Sequence, residues 1–280
     1  MTVRELIRKA AKMLDRSGIE DAKQEAEALF LFASRMSRAY FLAILDGDAD
    51  EDSAVRFLAL TDRRAAREPL QHITGCAPFY GRDFIVDRRV LIPRFDTEIM
   101  VEEVLKDRSG QETVLDLCTG SGCIAVTLKK ECPELTVFAS DISAEALEVA
   151  KQNAALHQAE ITFFQSDLLD AVTEPFDVLV SNPPYIRSAV IGTLEPEVRD
   201  HDPYLALDGG ADGLSFYRRI AHDAKAHLKG ASKSPCIYLE IGDEQAASVS
   251  KILEKEGYTS IQVIPDLTGR PRVVKACSED

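Results

Sequence analysis

The sequence predicts an α/β fold in which a mostly parallel sheet follows a small helical bundle. Three observations predict it. Apolar residues recur with helical spacing over the first seventy residues, short apolar runs with turns follow from residue 76, and strand-like runs alternate with helical stretches after Pro93. Such alternation is typical of a sheet with helices on both faces. The chain has 280 residues, about twice the length of a typical domain, so two domains are expected.

Residues 1–70 form the predicted N-terminal domain, a helical bundle. Thr2 and Glu5 have the spacing of a capping box, which indicates that a helix begins there. Further helical patterns begin near Ala22 and Ala54. The acidic stretch 47–52 is expected to be a solvated turn. No recognisable chemistry lies in this bundle.

A β-hairpin is expected over residues 71–95, as a linker between the two domains. Short apolar runs lie at 79–81, 84–86 and 90–92. The polar residues 87–89 precede the last run and are expected to form a turn.

The second domain, residues 96–280, contains seven predicted strands and five predicted helices. The strands are expected at 113–118, 135–140, 160–165, 176–182, 236–241, 259–264 and 271–276. The helices are expected at 97–107, 122–131, 143–156, 212–228 and 243–256. The last two strands leave no room for a long helix between them, which predicts an antiparallel hairpin at the edge of the sheet.

Composition and charge disfavour several classes of protein. No apolar stretch approaches the ~18 residues of a membrane span, and the charged N-terminus is unlike a signal peptide, so we expect a cytoplasmic protein without a membrane partner. The net charge of −14 argues against direct binding of DNA, because phosphate backbones bind to Lys and Arg. The six cysteines and five histidines have no metal-ligand or disulfide spacing, which predicts reduced thiols and no metal site.

A glycine turn after the first predicted strand of the second domain indicates a nucleotide site. The strand ends at Cys118, and Gly120, Ser121 and Gly122 then open a helix whose backbone N–H groups a ligand can approach. Asp141, at the end of the next strand, has the spacing of an acid that binds ribose hydroxyls, although it also fits a helix N-cap. Together they fit a nicotinamide dehydrogenase or an S-adenosylmethionine (SAM) methyltransferase.

Two further acids favour the methyltransferase. Asp116 lies inside the first strand, where a dehydrogenase normally has an apolar residue. A buried carboxylate needs a partner, and the ammonium group of SAM is one that suits it, directly or through water. Asp167 follows the third strand and is placed to accept a hydrogen bond from the exocyclic amine of adenine. A helix cap or turn residue is the other interpretation of Asp167.

The segment Asn182-Pro183-Pro184-Tyr185 follows the fourth strand directly and indicates the reaction. Two prolines fix the backbone and remove two donors, which leaves the Asn182 side chain and the Pro183 carbonyl as acceptors. Tyr185 adds a flat face for a planar group. Acceptors that hold an NH₂ group favour pyramidalisation of its nitrogen, so alignment and electrostatics carry methyl transfer without a strong general base.

Five strings in this chain resemble the PrmC/HemK family, the peptide chain release factor glutamine methyltransferases. They are PLQHITG (69–75), LIPRFDTE (91–98), DLCTGSGCI (116–124), NPPY (182–185) and GGADGL (209–214). The resemblance spans nearly the whole chain. It implies a helical domain that recognises the substrate, a β-hairpin linker, and then a Rossmann-like, seven-stranded SAM-dependent methyltransferase domain.

The resemblance also implies the activity and the site residues. A methyl group would pass from SAM to the side-chain amide nitrogen of the glutamine in the GGQ motif of class I peptide chain release factors, with S-adenosyl-L-homocysteine as product. The catalytic residues are expected to be Asn182, Pro183, Pro184 and Tyr185. The cofactor-binding residues are expected to be Asp116, Cys118, Thr119, Gly120, Ser121, Gly122, Asp141, Asp167, Leu168 and Asn182. Thr97 and Glu98 are expected to line the cleft or to cap the helix at 97–107.

Four residues depart from the family pattern. Cys118 stands where glycine is usual, Phe95 replaces a proline, and His72 replaces a tyrosine. Leu168 stands where some relatives have an aromatic residue near adenine. None of the four removes a group that the transfer requires.

Three other functions remain open on the sequence. An adenine amino-methyltransferase of DNA or RNA also suits NPPY, but the acidic charge and the absence of Trp argue against it. A SAM-binding adaptor without turnover is a second, and the dehydrogenase is a third.

Overall fold

The structure is a computed structural model, and it describes residues 1–106, 111–228 and 235–278. Its α-helices are α1 (Val3–Arg16), α2 (Ala22–Ser34), α3 (Arg38–Ala43), α4 (Glu51–Ala65), α5 (Leu70–Thr74), α6 (Phe95–Lys106), α7 (Cys123–Glu131), α8 (Ala144–Leu156), α9 (Ser188–Ile191), α10 (Pro196–Arg199), α11 (Tyr204–Leu207), α12 (Ser215–Asp223) and α13 (Ala246–Lys255). Its strands are β1 (Cys76–Phe79), β2 (Arg82–Ile85), β3 (Thr113–Leu117), β4 (Thr136–Asp141), β5 (Thr162–Gln165), β6 (Val178–Ser181), β7 (Cys236–Glu240), β8 (Thr259–Pro265) and β9 (Pro271–Cys277).

The described chain divides into two compact units. The first unit contains Met1–Cys76 together with Glu195–His201, and the second contains Ala77–Leu194 and the residues from Asp202 onward. The predicted division into a substrate-recognition domain (1–70), a linker (71–95) and a methyltransferase domain (96–280) assigns roles as well as limits. It stays a prediction.

The first unit is a helical bundle, as predicted from residues 1–70. The capping box of α1 is confirmed: Glu5 N donates to Thr2 Oγ1 at 3.2 Å, and Thr2 N donates to Glu5 Oε2 at 3.0 Å. The ring of Phe30 is fully buried and contacts two other buried phenylalanine rings. The stretch 47–52 is only partly a turn, because Asp50 caps α4 and the helix begins inside the stretch.

A buried arginine on α4 explains why Glu195–His201 belongs to the first unit. Arg64 is 5% exposed and forms ion pairs with Glu25 and, at 2.9 Å, with Glu197. Arg67 adds a second contact to Glu197, at 2.6 Å. A buried guanidinium needs such partners, since an unpaired buried charge is strongly destabilising.

The second unit contains a seven-stranded sheet in the order β5-β4-β3-β6-β7-β9-β8. The strands from β3 to β7 pair in parallel, and β9 pairs antiparallel with both β7 and β8. The predicted parallel sheet with an antiparallel edge hairpin is therefore confirmed. Because β3 lies between β4 and β6, the chain leaves β3 in one direction and returns on the other side, which is where open α/β sheets bind ligands.

The predicted helices of the second unit are all present, with boundaries shifted by a few residues. The largest shift is in the prediction for 212–228, where α12 begins at Ser215 and a 3₁₀ turn follows at Ala224–Ala226. Residue 107, the predicted end of the first of these helices, lies outside the described residues.

Two predictions from the sequence are wrong. The hairpin of β1 and β2 turns at Tyr80 and Gly81, both with positive φ, and residues 90–92 form no strand. A disulfide joins Cys236 and Cys277, which were expected to be reduced. The antiparallel register of β7 and β9 places these two residues opposite each other although they are 41 positions apart.

The described residues contain neither a helix that could cross a membrane nor a cluster of side chains that could hold a metal ion. No helix in the ranges 1–106, 111–228 and 235–278 is long and apolar enough to cross a membrane. Within the same ranges, no group of three or more His, Cys, Asp or Glu side chains is placed to hold a metal ion.

Candidate active site

A cavity of about 350 Å³ opens at the carboxyl edge of the sheet in the second unit. The predicted site residues that line it are Cys118, Thr119, Gly120, Ser121, Asp141, Asp167, Leu168, Asn182 and Pro184. The other predicted site residues, Asp116, Gly122, Pro183 and Tyr185, are not among its lining. The cavity therefore brings together most of the residues predicted for cofactor binding and the first residue of NPPY.

The glycine turn between β3 and α7 forms one wall of this cavity. Gly120 has a φ of 54°, and a Cβ on it would meet nothing within 4 Å, so this stretch of backbone is open to a ligand. Gly122 is needed for a different reason, because a Cβ there would lie 3.0 Å from Cβ of Ala150 on α8. The turn thus exposes its backbone to the cavity on one side and packs closely against α8 on the other.

Cys118 enters the turn in the left-handed region, with a φ of 62°. A side chain in this region costs roughly 1–2 kcal/mol that glycine avoids. This is the physical reason why glycine is the easier residue at this position. Burial raises the pKa of the Cys118 thiol, so the group stays protonated at neutral pH.

Asp141 joins the glycine turn to the end of β4. Its Oδ2 accepts from Gly120 N at 2.9 Å, and its Oδ1 accepts from Ser143 N at 2.9 Å. The N-cap of α8 is Ser143, so the capping interpretation of Asp141 is wrong. Each carboxylate oxygen has a second lone pair, so Asp141 can still accept from the hydroxyls of a ribose.

Asp116 lies behind the turn and is fully buried. Its Oδ2 accepts from Thr119 Oγ1 at 2.6 Å and from Ala125 N at 3.1 Å, which ties the turn to α7. Its Oδ1 has no hydrogen-bond partner. Burial raises the pKa of Asp116 to about 7. A contact between this oxygen and an amino group of a ligand, directly or through water, stays a prediction.

Asp167 and Leu168 form the wall after β5. Asp167 is half-exposed and forms an ion pair with Arg219 at 3.0 Å, and both residues line the cavity. Leu168 is buried with a φ of 49°. The ion pair leaves Asp167 with free lone pairs for an adenine amine, and Leu168 provides an apolar surface. Sequence reasoning missed Arg219.

The residues of NPPY follow β6, and the glycines of GGADGL pack against their backbone. A Cβ on Gly209 would lie 2.8 Å from the carbonyl oxygen of Pro184, and a Cβ on Gly213 would lie 2.5 Å from that of Tyr185. Gln245 Nε2 donates to the same Tyr185 oxygen at 2.9 Å. These close approaches explain why glycines are needed in GGADGL and hold the NPPY backbone in place.

Tyr185 is not part of the cavity lining. Its side chain packs against the apolar cluster on one face of the sheet, and burial raises its pKa. A role of Tyr185 as a flat face for the substrate stays a prediction, and the geometry does not favour it.

Thr97 and Glu98 separate into two different roles. Thr97 lies inside α6 and lines the cavity, so it does not cap that helix. Its Oγ1 donates to Glu240 Oε2 at 2.6 Å and lies 3.5 Å from Asn182 Nδ2. Glu98 is not part of the cavity lining, and its Oε1 accepts from Tyr80 N at 2.7 Å on the hairpin.

Glu240 is a second functional candidate that was not predicted from the sequence. It lies at the end of β7, only 2% exposed, and burial raises its pKa to about 7. A signal for it exists: Glu240 is the single acid in the apolar run CIYLEI, just as Asp116 is in the first strand of the sheet. A carboxylate inside a buried strand requires a partner, and only the fold shows which.

The chain matches two known families and is similar throughout to curated proteins. Residues 5–75 match the PrmC N-terminal domain, and residues 94–194 match the methyltransferase small domain. The chain is 40% identical over 279 residues to the release factor glutamine methyltransferase of Koribacter versatilis, an alignment that covers 98% of both chains. It is 41% identical over 278 residues to the release factor glutamine methyltransferase of Moorella thermoacetica, with 97% of both chains covered.

A solved structure supports the fold. The chain is similar to a methyltransferase from Pyrococcus furiosus with a TM-score of 0.55 and 21% identity, over 72% of this chain and 91% of that one. At this identity the similarity shows the fold alone.

Proposed function

We propose the following function because the chain belongs to the release factor glutamine methyltransferase family. The chain transfers a methyl group from SAM to the side-chain amide nitrogen of the glutamine in the GGQ motif of class I peptide chain release factors. S-adenosyl-L-homocysteine is the other product. The observation that carries this proposal is that Asn182 and the open backbone of Gly120 line the same cavity.

The residues of the cavity fit the chemical groups of SAM. The bare backbone of Gly120 suits close approach of the methionyl portion, and the Asp141 carboxylate has lone pairs for the ribose hydroxyls. Asp167 and Leu168 offer an acceptor and an apolar surface to adenine. When bound, SAM would supply a methyl group on a sulfonium, from which a neutral thioether departs as a good leaving group.

The side chain of Asn182 and the carbonyl of Pro183 act on the glutamine. The lone pair of an amide nitrogen is delocalised, so the nitrogen is a poor nucleophile. Acceptors that hold its N–H groups favour a pyramidal nitrogen and stabilise the positive charge that develops on it. After transfer, the nitrogen loses one proton to water. Thr97 lies between Asn182 and the buried Glu240, so this carboxylate is not a base for the substrate.

The partner of the proposed reaction is a class I release factor in the cytoplasm. The helical N-terminal domain, residues 1–70, recognises it. The net charge of −14 supports this choice over DNA as a partner, because a surface with excess acid repels phosphate backbones.

Mass spectrometry of a release factor incubated with the protein and SAM tests the proposal. We expect one additional methyl group on the GGQ peptide. A release factor with the GGQ glutamine replaced by alanine is the matched control and should gain none. Methylation of adenine in DNA or RNA, with no methyl gain on the release factor, would contradict the proposal. SAM binding without any transfer would instead support the adaptor.

A further inference from the structure

The hydroxyl of Thr97 stands between the Asn182 side chain and a buried carboxylate. Thr97 Oγ1 is 2.6 Å from Glu240 Oε2 and 3.5 Å from Asn182 Nδ2. Thr97 and Glu240 are 3% and 2% exposed. The contact to Asn182 is long for a hydrogen bond, and hydrogen bonds of this kind in active sites shorten in the complex with substrate. Contacts between the three side chains thus connect the cavity to the core.

The chemistry of the three groups fixes the direction of each hydrogen bond. An ionised carboxylate only accepts, so the single hydroxyl proton of Thr97 goes to Glu240. The Thr97 oxygen then has only lone pairs left for Asn182. It can accept a hydrogen bond from the NH₂ group of the Asn182 amide, and it repels the amide oxygen. The amide of Asn182 therefore has one preferred orientation, in which Oδ1 is directed away from Thr97.

That orientation is the one that the proposed reaction needs. The substrate offers an NH₂ group, which requires an acceptor and not another donor. An Asn182 side chain rotated by half a turn would present its own NH₂ to the substrate and would bind it poorly. The proposal that follows rests on the proposed function, because it assigns roles to further residues of the same active site.

We propose that Thr97 and Glu240 are positioning residues that hold the Asn182 amide with its oxygen available to the substrate nitrogen. Neither residue touches the reacting atoms. Glu240 fixes the hydroxyl of Thr97, and Thr97 fixes the amide.

The surroundings of Glu240 decide its charge. Burial raises its pKa to about 7, against the hydrogen bond from Thr97 and the positive charge of Arg272, which both lower it. The charged and titratable side chains that face it are Arg94, Asp96, Cys123, Tyr185, Tyr217 and Arg272. Above about pH 7 the carboxylate is ionised and the direction of the hydrogen bonds is fixed as described.

Substitution of Thr97 tests the proposal. Thr97→Val removes the hydroxyl and keeps the shape, and Thr97→Ser is the matched control that keeps the hydroxyl. We expect kcat for release factor methylation to fall about 10-fold in Thr97→Val, the effect of one hydrogen bond, and to stay within about 3-fold in Thr97→Ser. The Kd for SAM, measured by calorimetry, should stay unchanged in both.

The same substitution in an Asn182→Ala background shows whether Thr97 acts through Asn182. If it does, Thr97→Val has no further effect on the residual single-turnover rate of Asn182→Ala. The proposal is wrong if Thr97→Val keeps the wild-type kcat, if Thr97→Ser is as slow as Thr97→Val, or if the two substitutions multiply. Loss of SAM binding in Thr97→Val would also contradict it, since this shows a structural role.

These outcomes are separate from a failure of the proposed function. If the unmodified protein does not methylate the release factor, the function is wrong. If it does and Thr97→Val is without effect, only the positioning role is wrong.

Discussion

The two halves of the cavity are built in different ways. The cofactor half is local: Asp141 bonds to Gly120, only 21 positions away in the chain. The acceptor half is assembled from distant segments, because Asn182 is 85 positions from Thr97, and Thr97 is 143 positions from Glu240. The cofactor half thus depends on one strand-turn-helix unit and on the ends of the next two strands in the sheet, β4 and β5. The acceptor half depends on the order and register of the whole parallel sheet.

This difference predicts how substitutions divide. A change in the cofactor half should alter the affinity for SAM and leave the transfer step nearly intact. A change in the acceptor half should alter the transfer step and leave the affinity for SAM nearly intact. Four measurements test this division.

Removal of the acceptor itself should give the largest effect. We expect Asn182→Ala to lower kcat by about 10²–10³, because a group that stabilises developing charge is lost. The Kd for SAM should change by less than about 3-fold, since Gly120 and Asp141 remain. Single-turnover methyl transfer and calorimetry measure the two quantities. An equal loss in both would show that the halves are not separate.

Substitution of Asp141 tests the cofactor half. Asp141→Ala should raise the KM for SAM about 10–100-fold, the effect of losing hydrogen bonds to a charged group, with a smaller change in kcat at saturating SAM. Glu145→Ala is the matched control, because Glu145 also lines the cavity but is exposed on α8. It should change KM by less than about 3-fold. A large kcat loss in Asp141→Ala with an unchanged KM would reverse the division.

A methyl group at Gly209 tests the packing behind NPPY. Its Cβ would lie 2.8 Å from the carbonyl oxygen of Pro184, so Gly209→Ala should lower stability by about 2 kcal/mol and lower kcat more than it raises the KM for SAM. Gly192→Ala is the control, since a Cβ at Gly192 meets nothing within 4 Å and its φ is −64°. Thermal unfolding and steady-state kinetics of both variants give the comparison. Equal behaviour of the two variants would mean that NPPY does not need this close contact.

The pH dependence of kcat should report Glu240. Its pKa is raised to about 7, so the carboxylate is ionised above that pH and protonated below it. As the pH falls through about 7, Glu240 gains a proton of its own to donate, and the hydroxyl of Thr97 is no longer fixed. We expect kcat to fall by up to about 10-fold, the effect of one hydrogen bond.

Thr97→Val separates this titration from that of Asp116, whose pKa is also raised to about 7. In the variant the decline at low pH should be shallower, because Glu240 can no longer act on Asn182 through the hydroxyl. An identical decline in both proteins would assign the titration to another group.

The sequence predicted most of the fold because its elements are local patterns. The buried strands β3, β6 and β7 are short runs of mainly apolar residues, and the spacing of apolar residues marks α7 and α8. The hairpin turn was placed wrongly, because Val90 and Ile92 are apolar for a reason other than strand formation: they are buried in the wall of the cavity. The membership of Glu195–His201 in the first unit had no signal either, since it depends on ion pairs with Arg64 and Arg67.

The amino-acid sequence by itself determined the order of strands and helices, the glycine turn and the stiff NPPY segment. These features depend on backbone preferences and on the spacing of neighbouring residues. Both are local properties of the sequence and do not depend on the rest of the fold. Tertiary structure alone decided that Cys236 faces Cys277 and that Thr97 joins Asn182 to Glu240. The physical reason is that these contacts follow from strand order and register, and those are set by the packing of the entire sheet.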